Sequence, residues 1–303
     1  MIHYQNLETE KVNPRTREID SCSTEEMLHL INREDATVAE AVKAAIPQIA
    51  LAVDAAYRAL KQGGHIIYLG AGTSGRLGVL DASECVPTYG VSPDLVQGYI
   101  AGGDRALRTP VEGCEDSREQ GEQLIIDTNV TDKDVVVGIS ASGTALFVRA
   151  ALLKAKEIGA VTVAIVNNPY APVKEEADIC IEAITGAEVI SGSTRMKAGT
   201  AEKMVLNMIS TGVMIKLGRV YKNWMVDLQA TNIKLKERAK RIFCDITGKT
   251  KHEAEAYLEE SGWDTKLAIM MCLSGETRES SQKLLNDCNG FLTEALKQSG
   301  YSE

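Results

Sequence analysis

Hydrophobic and polar positions follow one another along the chain with two different periods, which predict helices and strands. From Val38 to Gln62 apolar residues recur at helical spacing, and Gly63-Gly64 ends this helix because glycine is the usual left-handed cap. A shorter helical pattern runs from Thr24 to Ile31. Short apolar runs that end in glycine or a turn are typical of buried strands. They occupy residues 65–69, 95–100, 135–139, 161–166 and 179–181.

Helical patterns separate these apolar runs. They cover residues 74–83, 112–126 and 145–158, and a long helix over 196–217 follows the last strand. Strands that alternate with helices predict a parallel sheet with helices on both faces, which is a three-layer, doubly wound α/β fold of the flavodoxin-like type.

The pattern changes beyond Gly218. Residues 222–243 predict a charged amphipathic helix, and three shorter helical patterns follow at 252–259, 265–273 and 277–296. No strand pattern is found there. We therefore expect an N-terminal helical segment (1–62) packed on the sheet, a sheet domain (63–244) and a small all-helical C-terminal domain (245–303).

Composition narrows the class of protein. The 303 residues carry a formal net charge of −9, which disfavours binding to nucleic acid or an anionic membrane. Met1–Asn6 lacks a signal-peptide pattern, and no apolar stretch reaches the ~20 residues that cross a bilayer. Seven scattered cysteines without a C-x-x-C pair are typical of reduced thiols. We expect a soluble, cytoplasmic protein.

Three loops rich in glycine and hydroxyl groups follow predicted strands. They are Gly70–Arg76, Ser140–Thr144 and Ser191–Thr200. Loops that follow parallel strands emerge at one edge of the sheet, where helix N-termini offer free N–H groups to anions. Any one loop could merely cap its helix. Together the three favour a site for a phosphate monoester on a polyol.

Nucleotide sites are less consistent with these loops. Gly70–Gly75 matches the dinucleotide pattern G-x-G-x-x-G, but Asp104 is the first carboxylate after strand 95–100 and comes late for a ribose. A Walker loop is excluded because Arg76-Leu77 stands where Lys-Ser/Thr is required. An NAD-dependent enzyme remains as a third hypothesis that nicotinamide titration would test.

The loop motifs resemble a known family. Strand–GTSG–helix followed by strand–S-x-S-G-T–helix looks like the sugar isomerase (SIS) domain, a phosphosugar-binding fold. Leu69–Gly78, Asp81–Cys85, Val111–Asp116 and Gly192–Thr200 resemble the N-acetylmuramic acid 6-phosphate etherase family, and the resemblance extends from about Asn6 to the C-terminal helices. The departures are Val86, where the family often has Pro, and Cys114, where it commonly has Ala. The non-catalytic glucokinase regulatory protein shares much of the pattern, so a phosphosugar-binding regulator is the alternative.

The resemblance implies two functional glutamates, Glu84 and Glu115. Glu84 is expected at the end of the helix that begins in the first loop, beside a stop at Pro87, with its carboxyl directed along the cleft. Glu115 is assigned a function only because it matches the family motif. The candidate substrate-binding residues all come from the three loops: Gly72, Thr73, Ser74, Ser140, Ser142, Thr144, Ser193 and Lys197. Arg76 and Arg195 are further basic residues near these loops.

The implied reaction cleaves the D-lactyl ether of N-acetylmuramic acid 6-phosphate to N-acetylglucosamine 6-phosphate and D-lactate. An alkoxide is a poor leaving group, but the C1 aldehyde of the open-chain sugar acidifies the C2 proton, so an enolate can expel the C3 oxygen. Water then adds back. One carboxyl acts as acid and one as base; the resemblance implies Glu84 as acid and Glu115 as base.

No metal or cofactor is expected for this chemistry. The four histidines, His3, His29, His65 and His252, lack metal-ligand spacing. Since SIS sites commonly lie where two subunits meet, the resemblance also implies a homodimer whose partner contributes to each site.

Overall fold

A five-stranded parallel sheet organises the first part of the chain in the computed structural model, which describes residues 7–301. The strand order is β2-β1-β3-β4-β5. All five predicted strands are confirmed, as β1 (Ile66–Gly70), β2 (Val96–Ile100), β3 (Val135–Ile139), β4 (Val161–Val166) and β5 (Ile179–Glu182). The expectations about Met1–Asn6 and His3 lie outside the described residues.

Eight α-helices accompany the sheet in the described chain up to residue 216. They are α1 (Thr24–Asp35), α2 (Val38–Ala44), α3 (Ile46–Lys61), α4 (Gly72–Tyr89), α5 (Asp104–Arg108), α6 (Arg118–Asp127), α7 (Leu146–Ile158) and α8 (Lys197–Lys216). Short 3₁₀ turns lie at Glu8–Glu10, Ile19–Ser21, Cys114–Asp116 and Pro172–Glu175.

Helices cover both faces of the sheet, as the doubly wound pattern predicts. Successive strand residues point to opposite faces, so Leu69 packs in a buried cluster with Phe147 and Leu152 of α7. On the other face α4 lies against Tyr68 and Ile139. A Cβ added at Gly78 would lie 3.1 Å from side-chain atoms of both residues, so the glycine allows this close approach.

Two predicted helices differ from the observed ones: one is divided and the other starts later. The single helix expected over Val38–Gln62 breaks at Ala45, because Pro47 has no N–H to donate to the preceding turn and instead occupies the first turn of α3. The helix expected over 112–126 begins only at Arg118, where the Ser117 hydroxyl accepts a hydrogen bond from Gln120 N and caps α6.

Helix α4 continues past the expected stop. Pro87 lies inside the helix, which ends at Tyr89, and Gly90 N still donates to Val86 O at 3.0 Å. A proline removes one main-chain hydrogen bond and need not end a helix. Glu84 therefore lies within α4 and not at its end, so the sequence-based placement was wrong.

A second compact unit follows, formed by residues 84–92 and 211–301, whereas residues 7–83 and 93–210 form the first. Its helices are α9 (Ile233–Thr247), α10 (Lys251–Glu260), α11 (Thr265–Ser274), α12 (Arg278–Asp287) and α13 (Leu292–Gln298). The all-helical C-terminal region is confirmed. The domain boundaries at 62/63 and 244/245 stay predictions.

Two helix bounds in this unit differ from the prediction. α9 starts at Ile233, not at Lys222, because Asn232 caps it while Tyr221 and Trp224 form an antiparallel bridge. The helix expected over 277–296 divides at Asn289-Gly290, where both residues have positive φ. A left-handed pair cannot continue a right-handed helix.

Within residues 7–301 no single helix combines the length and apolar composition needed to cross a bilayer. One bent arrangement, Thr24–Ala44 with Ile46–Lys61 at 59°, meets the criterion by length and composition only.

A buried ion pair ties the start of α8 to α1. The Lys197 ammonium lies 2.9 Å from a Glu34 carboxylate oxygen, and their side chains are 1% and 3% exposed. Glu34 also accepts hydrogen bonds from Arg15 and Asn13. The Arg15 hydrogen bond, with help from Lys197 and Asn13, outweighs burial and lowers the pKa of Glu34 to about 2. Because this pKa lies below its unfolded value, the stabilisation is present above pH 4.5 and is lost as the pH falls toward 2.

Glu34→Ala should lower the free energy of unfolding by about 3–5 kcal/mol, because it leaves the Lys197 charge buried without a partner. Urea denaturation at pH 7 measures this loss. The matched control is the double substitution Glu34→Met with Lys197→Met, which removes both charges and should cost clearly less. An equal loss in the two proteins would contradict the role of the ion pair.

Candidate functional site

The strand order opens a crevice between β1 and β3. These two strands are neighbours, but from β1 the chain crosses to β2 on one side, whereas β3 continues to β4 on the other. The loops that follow β1 and β3 therefore diverge, and in doubly wound sheets ligands bind at such a point. Two of the three hydroxyl-rich loops lie here.

A cavity of about 280 Å³ occupies this edge of the sheet. Its lining combines hydroxyl groups, glycines and two carboxylates. The lining residues are Leu7, Glu10, Ala71, Gly72, Thr73, Ser74, Glu115, Ile139, Ser140, Ala141, Ser142, Thr144, Ala145, Gly192 and Thr194. Six of the eight candidate binding residues are brought together in it; Ser193 and Lys197 are not among them.

The loop after β3 is held by its own hydroxyl groups. Ser140 Oγ accepts from Gly143 N at 3.1 Å, and Ser142 Oγ lies 2.7 Å from Thr144 Oγ1. Gly143 has a φ of 72°, and a Cβ there would lie 2.4 Å from the Cβ of Ala171. The loop is therefore fixed in one shape that leads into the N-terminus of α7.

The loop after β1 leads directly into α4. Gly75 N donates to Ala71 O at 3.2 Å, and the Ser74 hydroxyl donates to Glu202 Oε1 of α8 at 2.9 Å. Arg76 donates to the carbonyls of Ala106 and Leu107, so its guanidinium is already engaged. The N-termini of α4 and α7 thus meet the same cavity with their positive dipole ends.

The third loop contributes Gly192 and Thr194 to the cavity wall. Lys197 follows at the first position of α8, and its ammonium is engaged by Glu34. A direct contact between Lys197 and a ligand would require that buried ion pair to break. The loop is tied to the N-terminal segment, since Gly192 N donates to Thr9 O at 3.2 Å.

Glu115 lies in the cavity wall, in the 3₁₀ turn Cys114–Asp116. Much of the residue faces solvent, but the surrounding protein removes water from the carboxyl, and this desolvation raises its pKa. The negative charge of neighbouring Asp116 raises the pKa further. Such a carboxyl is a stronger base than a fully solvated one and is suited to exchange protons with a bound molecule.

Glu84 is exposed on α4. It lies ten residues beyond Ser74 in this helix, which corresponds to about 15 Å along the helix axis. That separation exceeds the reach of a glutamate side chain.

The amino-acid pattern does not mark Leu7, Glu10 or Glu202 as site residues. The N-terminal residues are polar and irregular in pattern, so no periodic signal marks Leu7 or Glu10 as part of a cavity wall. Glu202 looks like any charged residue on a long helix, yet it is 1% exposed.

Among residues 7–301, no group of three or more His, Cys, Asp or Glu side chains could hold a metal ion.

Comparisons with known proteins show which family this chain resembles. Residues 48–156 match the family described as the glucokinase regulatory protein N-terminal SIS domain, and residues 117–211 match the SIS domain. A protein of Caldanaerobacter subterraneus subsp. tengcongensis named N-acetylmuramic acid 6-phosphate etherase is 52% identical over 293 residues, which cover 97% of this chain and 96% of that protein. A Salmonella typhimurium protein of the same name is 50% identical over 291 residues, covering 96% and 98%.

A solved structure shows the same fold. The phosphoheptose isomerase of Neisseria gonorrhoeae superposes with a TM-score of 0.50 and 16% sequence identity, over 63% of this chain and 98% of that one.

Gly143→Ala should weaken binding of inorganic phosphate or a sugar phosphate at least tenfold, because a Cβ collides with Ala171 and shifts the loop. Isothermal titration calorimetry measures the affinity. Gly103→Ala is the matched control: Gly103 has a similar φ of 67° but open space around its Cβ position. Equal effects of the two substitutions would show that the Ala171 contact does not shape the site.

Proposed function

The chain belongs to the N-acetylmuramic acid 6-phosphate etherase family and is a carbon–oxygen lyase, and we propose that the cavity between β1 and β3 binds its phosphosugar. The reaction removes the lactyl ether of N-acetylmuramic acid 6-phosphate and yields N-acetylglucosamine 6-phosphate and D-lactate. The observation that carries the proposed site is the presence of Glu115 in one cavity with the hydroxyl-rich loops.

The substrate phosphate is bound by neutral groups. The N-termini of α4 and α7 supply main-chain N–H groups, and hydroxyls of Thr73, Ser74, Ser140, Ser142 and Thr144 supply further hydrogen bonds. The third loop adds Ser193 beside its two lining residues. Lys197 acts through its ion pair with Glu34, which holds this loop in place, rather than by touching the phosphate.

The reaction proceeds by elimination followed by addition of water. In the open-chain sugar the C1 aldehyde acidifies the C2 proton. A base removes that proton, the C2 electron pair forms the C2–C3 double bond, and the C3–O bond breaks. The departing lactate oxygen takes a proton from an acid. Water then adds its hydroxyl to C3 and a proton to C2, so the unsaturated aldehyde becomes N-acetylglucosamine 6-phosphate.

Glu115 serves as the base at C2 and Glu84 as the acid to the lactate oxygen. Desolvation makes Glu115 a stronger base than a solvated carboxylate, because it raises the pKa of that group. The base must be ionised, so kcat/KM falls as the pH drops through this raised pKa. The acidic limb of the pH profile therefore lies above the ordinary value of 4.5.

The two glutamates meet at a site shared by two copies of the chain. Within one chain, about 15 Å of helix α4 separates Glu84 from the level of Ser74. A homodimer with two-fold symmetry can bring Glu84 of one copy to the cavity of the other and creates two equivalent sites.

The protein works in the cytoplasm; its seven cysteines, all free in the structure, are consistent with a reducing compartment.

Purified protein should release D-lactate from N-acetylmuramic acid 6-phosphate without added metal or nucleotide. Glu84→Gln and Glu115→Gln should each lower kcat at least ~100-fold, because each removes a proton-transfer group and keeps the side-chain shape. An enzyme-coupled D-lactate assay measures turnover, and calorimetry with N-acetylglucosamine 6-phosphate serves as the binding control. Phosphosugar binding without any lactate release would instead favour the alternative function, a non-catalytic phosphosugar-binding regulator.

Mixing the two inactive proteins tests the shared site. When Glu84→Gln and Glu115→Gln dimers exchange subunits at equal concentration, half of the dimers are mixed and each has one intact site. About a quarter of the wild-type activity should return. Dimers that exchange subunits, verified by native mass spectrometry, yet stay inactive would place both glutamates in one chain's site. A monomer in ultracentrifugation at assay concentration would have the same consequence.

A further inference from the structure

A buried carboxyl group lies directly behind the proposed substrate site. Glu202, on α8, accepts a hydrogen bond from Ser74 Oγ at 2.9 Å and is 1% exposed. Ser74 lines the cavity, so one side chain links the cavity to the buried acid. The reaction proposed above does not use Glu202.

The surroundings of Glu202 oppose a negative charge on it. Burial is the largest effect and raises the pKa of Glu202 to about 8, even though the Ser74 hydrogen bond lowers it. Glu188, in the segment before α8, is the charged group that acts on it among residues 7–301, and its negative charge raises the pKa further. Lys197, at the start of the same helix, is engaged by Glu34. At neutral pH Glu202 therefore carries its proton.

A protonated carboxyl changes the role of Ser74. A serine hydroxyl has one hydrogen to donate and two lone pairs to accept with. Next to a carboxylate, the Ser74 hydrogen is directed at Glu202, away from the cavity. Next to a carboxylic acid, Ser74 Oγ can accept the Glu202 proton, and its own hydrogen is then available to a ligand oxygen.

We propose that Glu202 is a positioning residue which, as a neutral acid, donates to Ser74 Oγ and directs the Ser74 hydroxyl hydrogen into the cavity toward the substrate phosphate. Ionisation of Glu202 reverses the hydrogen bond and places an uncompensated negative charge behind an anion site. Phosphosugar binding is thereby weakened at alkaline pH. This inference rests on the proposed function, because it takes the phosphosugar as the ligand of the Ser74 cavity.

The sign of the pH effect follows from the folded pKa. Binding that requires neutral Glu202 is constant well below pH 8 and weakens about tenfold for each pH unit well above it. A sugar phosphate is already a dianion there, since its second pKa is about 6. Between pH 7 and pH 9 the dissociation constant of the wild-type protein should therefore rise about tenfold.

Calorimetric titration with N-acetylglucosamine 6-phosphate, from pH 6.5 to 9.5, tests this with the wild-type protein and three variants. Glu202→Gln keeps the size of the side chain and a donor that cannot ionise. It should match wild-type affinity at pH 7 within about twofold and show no alkaline loss. Ser74→Ala should bind the phosphosugar more weakly, and its affinity should not decrease with the ionisation of Glu202. Adding Glu202→Gln to Ser74→Ala should not change the affinity or its pH dependence further.

Stability supplies an independent readout of the Glu202 proton. The folded pKa lies above the unfolded one, so ionisation destabilises the protein progressively from pH 4.5 to 8. The urea midpoint of Glu202→Gln should therefore rise relative to wild type across that range.

Three results would overturn the inference: wild-type affinity independent of pH, an alkaline loss that persists in Glu202→Gln, or a pH-independent difference in urea midpoint. Inorganic phosphate is the second probe and separates this inference from the proposed function. If phosphate or the phosphosugar binds without the predicted slope, only the role of Glu202 fails. If neither probe binds, or if Ser74→Ala leaves the affinity for both probes unchanged, the cavity is not the binding site and both proposals fail.

Discussion

The parallel pairing of β1 with β3 is the constraint on which the site depends. It places the carboxyl ends of two non-consecutive strands side by side, so that their loops leave in opposite directions and a crevice opens between them. Glycines keep the helices close behind this edge. A Cβ at Gly75 would lie 2.5 Å from the Gly70 carbonyl oxygen, so only glycine lets α4 begin immediately after β1. With that approach, the positive end of α4 is a wall of the cavity.

Three buried carboxyl groups with different partners lie near the start of α8. Glu34 has cationic partners, Lys197 and Arg15, which keep it ionised. Glu188 accepts from the first main-chain N–H groups of α8, each at 2.9 Å, although burial raises its pKa. Glu202 accepts a hydrogen bond from the Ser74 hydroxyl, has no cationic partner among residues 7–301, and burial raises its pKa to about 8. Their chemical type is identical, so burial and the partners decide which group pairs with a cation, which caps a helix and which has a raised pKa.

In the proposed site, hydroxyl and main-chain groups bind the ligand, and the ionisable groups carry out the chemistry. An acidic protein with a net charge of −9 cannot attract a phosphate by its overall field. In the proposal, local donors at the N-termini of α4 and α7 bind the phosphate without a cation in the cavity. A cation there would lower the pKa of Glu115 and weaken it as the proposed base. Glu84 is exposed on α4, so it is accessible to the second copy of the chain that we propose.

The sequence by itself determined the five strands, the parallel sheet and the hydroxyl-rich loops at its edge. These features depend on the apolar pattern over a few residues and on glycine next to Ser or Thr, so they can be read locally. The interruptions at Pro47 and Asn289-Gly290 also had local signals. Only the tertiary structure decided that Leu7 and Glu10 line the cavity, that Lys197 is engaged by Glu34, and that Glu202 lies behind Ser74. The last two pairings join residues 163 and 128 positions apart. Burial and the choice of partner, which set the ionisation of these groups, arise only when such distant segments pack together.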